Sequence, residues 1–159
     1  MAYAGKLGFQ MDLKASADKF YGSIRDNTTL FPKIFPDKFK SIQVLEGDGW
    51  SVGTVRFWTY ALDNITESQG NLIDLVAKEK IEAADEANKS ATFSIFEGDL
   101  SNFYKNIIVK LYVTPKSEGS SVNWCMDFEK VSKEVPDPNL YQDFVINIFK
   151  DLDAYLCMP

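Results

Sequence analysis

Histidine is missing from this chain of 159 residues, and cysteine occurs only at Cys125 and Cys157. Without an imidazole, Ser-His-Asp and Cys-His catalysis and His-containing zinc sites are excluded, and two thiols cannot build a Cys₄ centre. No metal and no cofactor is therefore expected. Two cysteines also give no disulfide framework, which fits a reducing, cytoplasmic location. Basic charge is scarce as well: 17 Lys and Arg stand against 23 Asp and Glu, for a net charge of -6. Steering toward nucleic acid or an anionic membrane is disfavoured by that balance. Long apolar runs are lacking, so membrane insertion is not expected, and the opening MAYAGKLGFQMDLKAS has no stretch of signal-peptide length. The N-x-[ST] triplets at Asn27, Asn64 and Asn88 would then never meet the glycosylation machinery.

What the chain does have is apolar alternation. At 45% hydrophobic content it can bury the core of one domain, expected to span residues 1–159. LGFQMDL, residues 7–13, sets Leu7, Phe9, Met11 and Leu13 against Gly8, Gln10 and Asp12, the pattern of a half-buried strand. Ser16 or Asp18 then caps a short helix running to about Arg25, and the prolines of TTLFPKIFPDKF leave room only for brief helical turns. KSIQVLE, TVRFWTYAL, IDLVAKEKIEAA, SATFSIFEG, NIIVKLYVTP and SSVNWCMDFEKV keep a period near two between turn signals, of which PKSEGS is the clearest. After Pro136 and Pro138, Leu140, Phe144, Ile148, Leu152 and Tyr155 recur at helical spacing. The expected class is α+β, a curved antiparallel sheet crossed by a long C-terminal helix.

The glycine-rich stretch LEGDGWSVGTVRFW places Gly47, Gly49 and Gly53 between two strands. A phosphate loop needs a lysine and a helix after its glycines, and here Thr54, Val55 and a strand follow. The glycines are read as a tight connection using left-handed dihedrals.

One inward position is unusual. In IDLVAKEKIEAA the face of Leu75, Ala77, Glu79, Ile81 and Ala83 is apolar except at Glu79, while Lys78, Lys80 and Glu82 face the other way. A carboxylate in an apolar setting must be paired, hydrogen-bonded or protonated, which makes Glu79 a candidate acid or base. A structural carboxylate bound to a tyrosine, amide or water, or a bulge turning it outward, is the alternative. Small inward residues, Ala77, Ala83 and Ala91, lie beside large ones. They leave space that Phe9, Met11, Phe57, Phe93, Ile95, Val109, Trp124, Met126, Phe144 and Ile148 would wall with apolar surface, unless neighbouring aromatics fill it. Lys110 is expected to face solvent opposite Ile107, Val109 and Leu111, and Cys125 to share an outer face with Asn123 and Asp127. Asp151 and Asp153 read as solvated surface charge.

Taken in order, the LEGDG-x-x-x-G-[TS] loop, the FEGDL segment (Phe96 to Leu100), the Y-K-x-x-x-x-x-x-x-V-T-P strand (Tyr104 to Pro115) and KDLDAYL (Lys150 to Leu156) resemble the major latex protein branch of the plant Bet v 1 and pathogenesis-related PR-10 superfamily. The resemblance implies a helix-grip fold: seven antiparallel strands around a long C-terminal helix, two short helices after the first strand, and a large internal cavity. It implies cytosolic binding of small apolar metabolites and links to defence or specialised metabolism, in a monomer or weak homodimer. The superfamily also holds enzymes. Norcoclaurine synthase uses a tyrosine, glutamate, lysine and aspartate. Matched strand by strand, the glutamate falls at Glu79, whereas the tyrosine and lysine fall at Ala77 and Ala91 and the aspartate near Val109. A condensation of that type is thus disfavoured, while isomerisation or cyclisation of a reactive alkaloid or terpenoid intermediate, with Glu79 as acid or base, is the alternative to simple carriage.

Overall fold

In the computed structural model, which describes residues 3–62 and 73–159, the alternating segments pair into one antiparallel sheet. Its strands are β1 (Tyr3–Leu13), β2 (Phe39–Glu46), β3 (Val55–Tyr60), β4 (Leu75–Asp85), β5 (Ser90–Gly98), β6 (Tyr104–Pro115) and β7 (Ser120–Lys130). The sheet order is β1-β7-β6-β5-β4-β3-β2, so β2 to β7 form a meander and β1 returns to pair with β7. Between the edge strands β1 and β2 the chain runs through α1 (Ala17–Arg25) and α2 (Asn27–Ile34). The long helix α3 (Asn139–Leu156) lies against the curved sheet's inner face. This is the helix-grip arrangement expected from the sequence. Asn64, one of the triplet asparagines, lies outside the described residues.

Local chemistry explains the element boundaries. Ser16 is the residue that caps α1, its side-chain oxygen accepting from the Lys19 amide at 3.2 Å. Two full turns form in α2 where the prolines suggested only fragments. Pro32 removes one intrahelical donor, and burial of Phe31 against the core holds the segment helical around it. In β4 an extra residue between Ile81 and Ala83 shifts the register, so Ala84 stands opposite Ala91 and Ala83 turns to solvent. The expected inward placement of Ala83 is therefore corrected by a bulge, which swaps faces for every residue beyond it.

The core lies between sheet and α3, where Ile81, Val122, Met126 and Leu152 are wholly enclosed. The apolar stripe of α3 runs true through Phe144, Ile148 and Leu152, whereas Leu140 and Tyr155 at its ends are exposed. Lys110 is exposed, as its parity requires, and Cys125 sits half-buried beside Asn123 and Asp127.

Asp153 departs from its reading as free surface charge. Its two carboxylate oxygens accept from the backbone amides of Lys14 and Ala15, both at 2.9 Å. The last turns of α3 are thereby fastened to the link between β1 and α1, where those amides have left the sheet ladder. Asp153→Ala strands two donors and should lower unfolding free energy by about 1–3 kcal/mol, measured by urea denaturation. Asp151→Ala, whose exposed side chain makes no such bond, should change it by less than about 0.5 kcal/mol.

Candidate ligand-binding site

Alternation along β3 turns Arg56, Trp58 and Tyr60 to the inner face. The register opposite β4 sets Arg56 directly across from Glu79. Arg56 is completely enclosed, with no exposed surface. Its Nε donates to Glu79 Oε1 at 2.9 Å, its Nη2 to the same oxygen at 2.5 Å, and its Nη1 to Asn27 Oδ1 at 2.6 Å. Its guanidinium carbon lies 5.1 Å from the centre of the Trp58 ring and 5.8 Å from those of Trp50 and Phe93. A guanidinium cannot shed its charge by deprotonation, so burial demands this full set of acceptors and ring faces. Glu79 is thus the counter-charge of Arg56, a partner different from the tyrosine, amide or water weighed from sequence.

The glycine-rich loop delivers one of those rings. Gly47, Gly49 and Gly53 all have positive φ, at 87°, 111° and 94°. Inside the turn the Asp48 carboxylate accepts from the Trp50 and Ser51 amides at 3.0 and 2.8 Å and from Ser51 Oγ at 2.6 Å. Those bonds hold its carboxyl well below the usual carboxylate range. The amides that a phosphate would need are occupied by the chain's own carboxylate, and β3 follows. The loop's work is to place Trp50 inward, edge-on to Tyr21 with ring centres 6.0 Å apart and beside Phe93 at 5.9 Å.

Beside this ion pair the interior is subdivided. A void of about 100 Å³ is lined by Phe93, Val109, Trp124, Phe144 and Ile148 together with Arg56, Asn27 and Glu79. A second, of about 40 Å³, lies between Trp58, Tyr60, Ala77, Glu79, Ile95 and Tyr141. Glu79 borders both. A third space, an outer groove of about 630 Å³, is lined mainly by apolar side chains, among them Leu62, Leu75, Leu100, Phe103 and Leu140. Tyr60 and Tyr141 line both this groove and the 40 Å³ void, and their rings meet edge-on at 6.5 Å. Burial pushes both phenols far above their ordinary pKa, with Asp99 adding to the effect at Tyr60, and Tyr60 then Glu79 at Tyr141.

Of the wall residues named from sequence, Ala77, Phe93, Ile95, Val109, Trp124, Phe144 and Ile148 come together around these two inner voids. Phe9 and Met11 pack from the edge strand instead, Phe9 stacking on Trp124 at 5.4 Å. Ala91 is buried between Ala84 and Leu111 and borders neither void. Phe57 is corrected: it lies on the outer face of β3 between Gln43 and Lys78, because the inner face belongs to Arg56, Trp58 and Tyr60. The apolar Val55 and Phe57 made the opposite parity look like the core. The usable signal was electrostatic: an inward Glu79 calls for a cation, and the chain has only two arginines, Arg25 and Arg56.

Residues 2–158 match the family described as pathogenesis-related protein Bet v 1 family. The MLP-like protein 423 of Arabidopsis thaliana is 38% identical over 98% of this chain and 96% of its own length. A crystal structure of ginseng major latex-like protein 151 from Panax ginseng superposes with a TM-score of 0.86 at 34% identity, covering 99% of both chains. Norcoclaurine synthase from Thalictrum flavum, in complex with dopamine and hydroxybenzaldehyde, shares the fold at a TM-score of 0.76 but only 16% identity, covering 98% of this chain and 87% of its own.

The ion pair makes a stability prediction. Glu79→Ala strands an enclosed guanidinium and should cost about 3–5 kcal/mol, whereas Arg56→Met combined with Glu79→Leu should recover at least half of that loss. Equilibrium unfolding followed by circular dichroism checks both. A loss below about 1 kcal/mol for Glu79→Ala would contradict the pairing.

Proposed function

The chain belongs to the pathogenesis-related protein Bet v 1 family, and from that premise we propose that it binds or carries small apolar metabolites between its sheet and α3. The observation that carries this reading is the outer groove of about 630 Å³ with its largely apolar lining, which shares Tyr60 and Tyr141 with the 40 Å³ inner void. That volume is within the range of small-molecule sites, and Tyr60, Leu75 and Tyr104 from the strands with Asn139, Leu140 and Tyr141 from α3 supply part of its walls. Two free thiols, Cys125 and Cys157, accord with a cytoplasmic setting, which belongs to the same proposal.

Glu79 serves this reading as a structural counter-charge. Both contacts from Arg56 fall on one of its oxygens, and the positions matched to an activating tyrosine and lysine hold Ala77 and Ala91. Carriage requires no proton transfer, and the Glu79 oxygen that meets Arg56 is already committed to two charge-assisted hydrogen bonds. The isomerase or cyclase alternative therefore gains no support from this geometry.

The test is saturable uptake of a neutral fluorescent probe, N-phenyl-1-naphthylamine. The wild-type protein should bind it at micromolar concentration. Leu100→Lys, which puts a charge into the apolar groove, should weaken binding about tenfold or more with circular dichroism unchanged. Absence of saturable uptake, or equal uptake by the folded variant, overturns the assignment.

A further inference from the structure

The open sheet ends in two edge strands, β1 and β2, and an uncovered edge presents backbone amides and carbonyls to any chain that can match them. The two edges differ. β2 is broken by register shifts between Phe39 and Ser41 and between Val44 and Glu46, and α2 packs against it. Such irregularities and cover are common protections of an edge. β1 has no such shift, pairing with β7 in unbroken register from Tyr3 opposite Lys130 to Leu13 opposite Ser120. Among the described residues, no backbone bond reaches residues 3–12 from outside that ladder. The inward side chains Leu7, Phe9 and Met11 are only half-buried, which leaves an apolar flank beside the free edge.

The residues of β1 complement themselves. When two copies of the strand are set antiparallel about a two-fold axis at Phe9, Lys6 faces Asp12, Gly8 faces Gln10, Leu7 faces Met11 and Phe9 faces its counterpart. Both members of every pair have the same parity, so charged residues meet on the outer face, apolar ones on the inner, and free backbone groups point at one another. The side chains of Lys6 and Asp12 are 67% and 74% exposed. Lys6 has only a 3.7 Å contact with Asp127, and Lys116 occupies one oxygen of Asp12, so each has room for a second partner. Neighbouring registers lose the match: an axis at Gly8 sets Lys6 against Gln10, and an axis at Gln10 brings Lys6 to Lys14.

We propose that β1 is an interaction edge whose partner is a second copy of this chain, the two β1 strands pairing antiparallel about Phe9 so that both sheets join into one. Residues 5–13 of each strand overlap, over about 30 Å at the rise of an extended chain. The contact is isologous: each copy gives Lys6 to the other's Asp12 and covers the other's flank of Leu7, Phe9 and Met11. None of the residues lining the outer groove lies on β1, so the pairing does not occupy that groove. A net charge of -6 on each copy opposes association. The dimer is therefore weak and concentration-dependent, and the Lys6–Asp12 contacts select its register.

Sedimentation velocity on the whole chain tests this, run from about 10 µM to about 1 mM, where weak association is read, with reductant present so that the exposed Cys157 forms no cross-link. Wild type should pass from monomer toward dimer within that range. Lys6→Glu sets carboxylates face to face and Asp12→Lys sets ammonium groups face to face, so each should weaken the dimer at least about tenfold. Circular dichroism should not change, because both side chains are exposed. Lys6→Glu combined with Asp12→Lys restores opposite charges in the same register and should return the affinity to within about threefold of wild type. Amide hydrogen exchange at low and high concentration should show added protection at alternate residues of β1 and none along β2. A wild type that stays monomeric throughout the range overturns the proposal. So does a dimer that persists in both single variants, that the folded double variant does not regain, or whose added protection falls elsewhere than on β1.

Discussion

The enclosed guanidinium of Arg56 is the constraint around which the inner face is organised. A permanent charge with no exposed surface is tolerable only if it is paired, hydrogen-bonded and faced by aromatic rings, and each partner comes from a different part of the chain. Glu79 comes from β4, Asn27 from the start of α2, Trp50 from the glycine-rich loop, and Phe93 from β5. Four separate segments are thereby held at fixed distances from one point on β3. Replacing such a cluster by apolar side chains need not weaken a protein, because desolvation offsets much of the Coulomb gain. What the cluster supplies is register: β3 and β4 can pair in only one way if Arg56 and Glu79 are to meet, and α2 can approach only where Asn27 accepts.

Electrostatic closure of that pair determines what the interior can do. With Glu79 bound to Arg56, the inner walls present aromatic rings, aliphatic side chains and a few neutral hydrogen-bonding atoms. Such a surface offers shape and apolar contact in place of net charge. Asn27 is buried, with its amide oxygen accepting from Arg56 at 2.6 Å, so the folded protein has no room for a glycan at that N-x-[ST] triplet. The loop obeys the same logic. Its three positive-φ glycines and the Asp48 carboxylate form a self-sufficient turn, and what it delivers inward is the indole of Trp50, laid toward the cation.

How far the sequence disclosed this depended on the strength of the local signal. Sheet, meander and helices were legible because period-two alternation and the stripe Phe144, Ile148, Leu152 are written over many residues. The inward Glu79 was legible for the same reason. Its partner was not, because TVRFWTYAL is amphipathic in either parity and the apolar Val55 and Phe57 argued for the wrong one. Only pairing across strands decides such a case, and Arg56 opposite Glu79 is non-local information. Ala83 failed differently: a single inserted residue on β4 reverses the faces, and no composition signal marks a bulge. Asp153 looked like surface charge because its acceptor role depends on the Lys14 and Ala15 amides, about 140 residues away in the chain.

The division of the interior sets the energetics of ligand entry. Where the resemblance implies one large cavity, the described residues enclose small inner voids beside a larger outer groove. The groove and the 40 Å³ void share Tyr60 and Tyr141, whose rings meet edge-on, and such an aromatic pair is worth about 0.5–1.5 kcal/mol beyond its buried area. A ligand that hides 150 Å² of apolar surface, an illustrative area, gains roughly 4 kcal/mol at about 25 cal/mol per Å². Displacing the pair is therefore within reach of a modest ligand's own burial energy, before ordering costs are counted. Arg56 and Glu79 are held by far stronger constraints and do not yield on that scale. On this reckoning the two tyrosines would yield before the ion pair behind them.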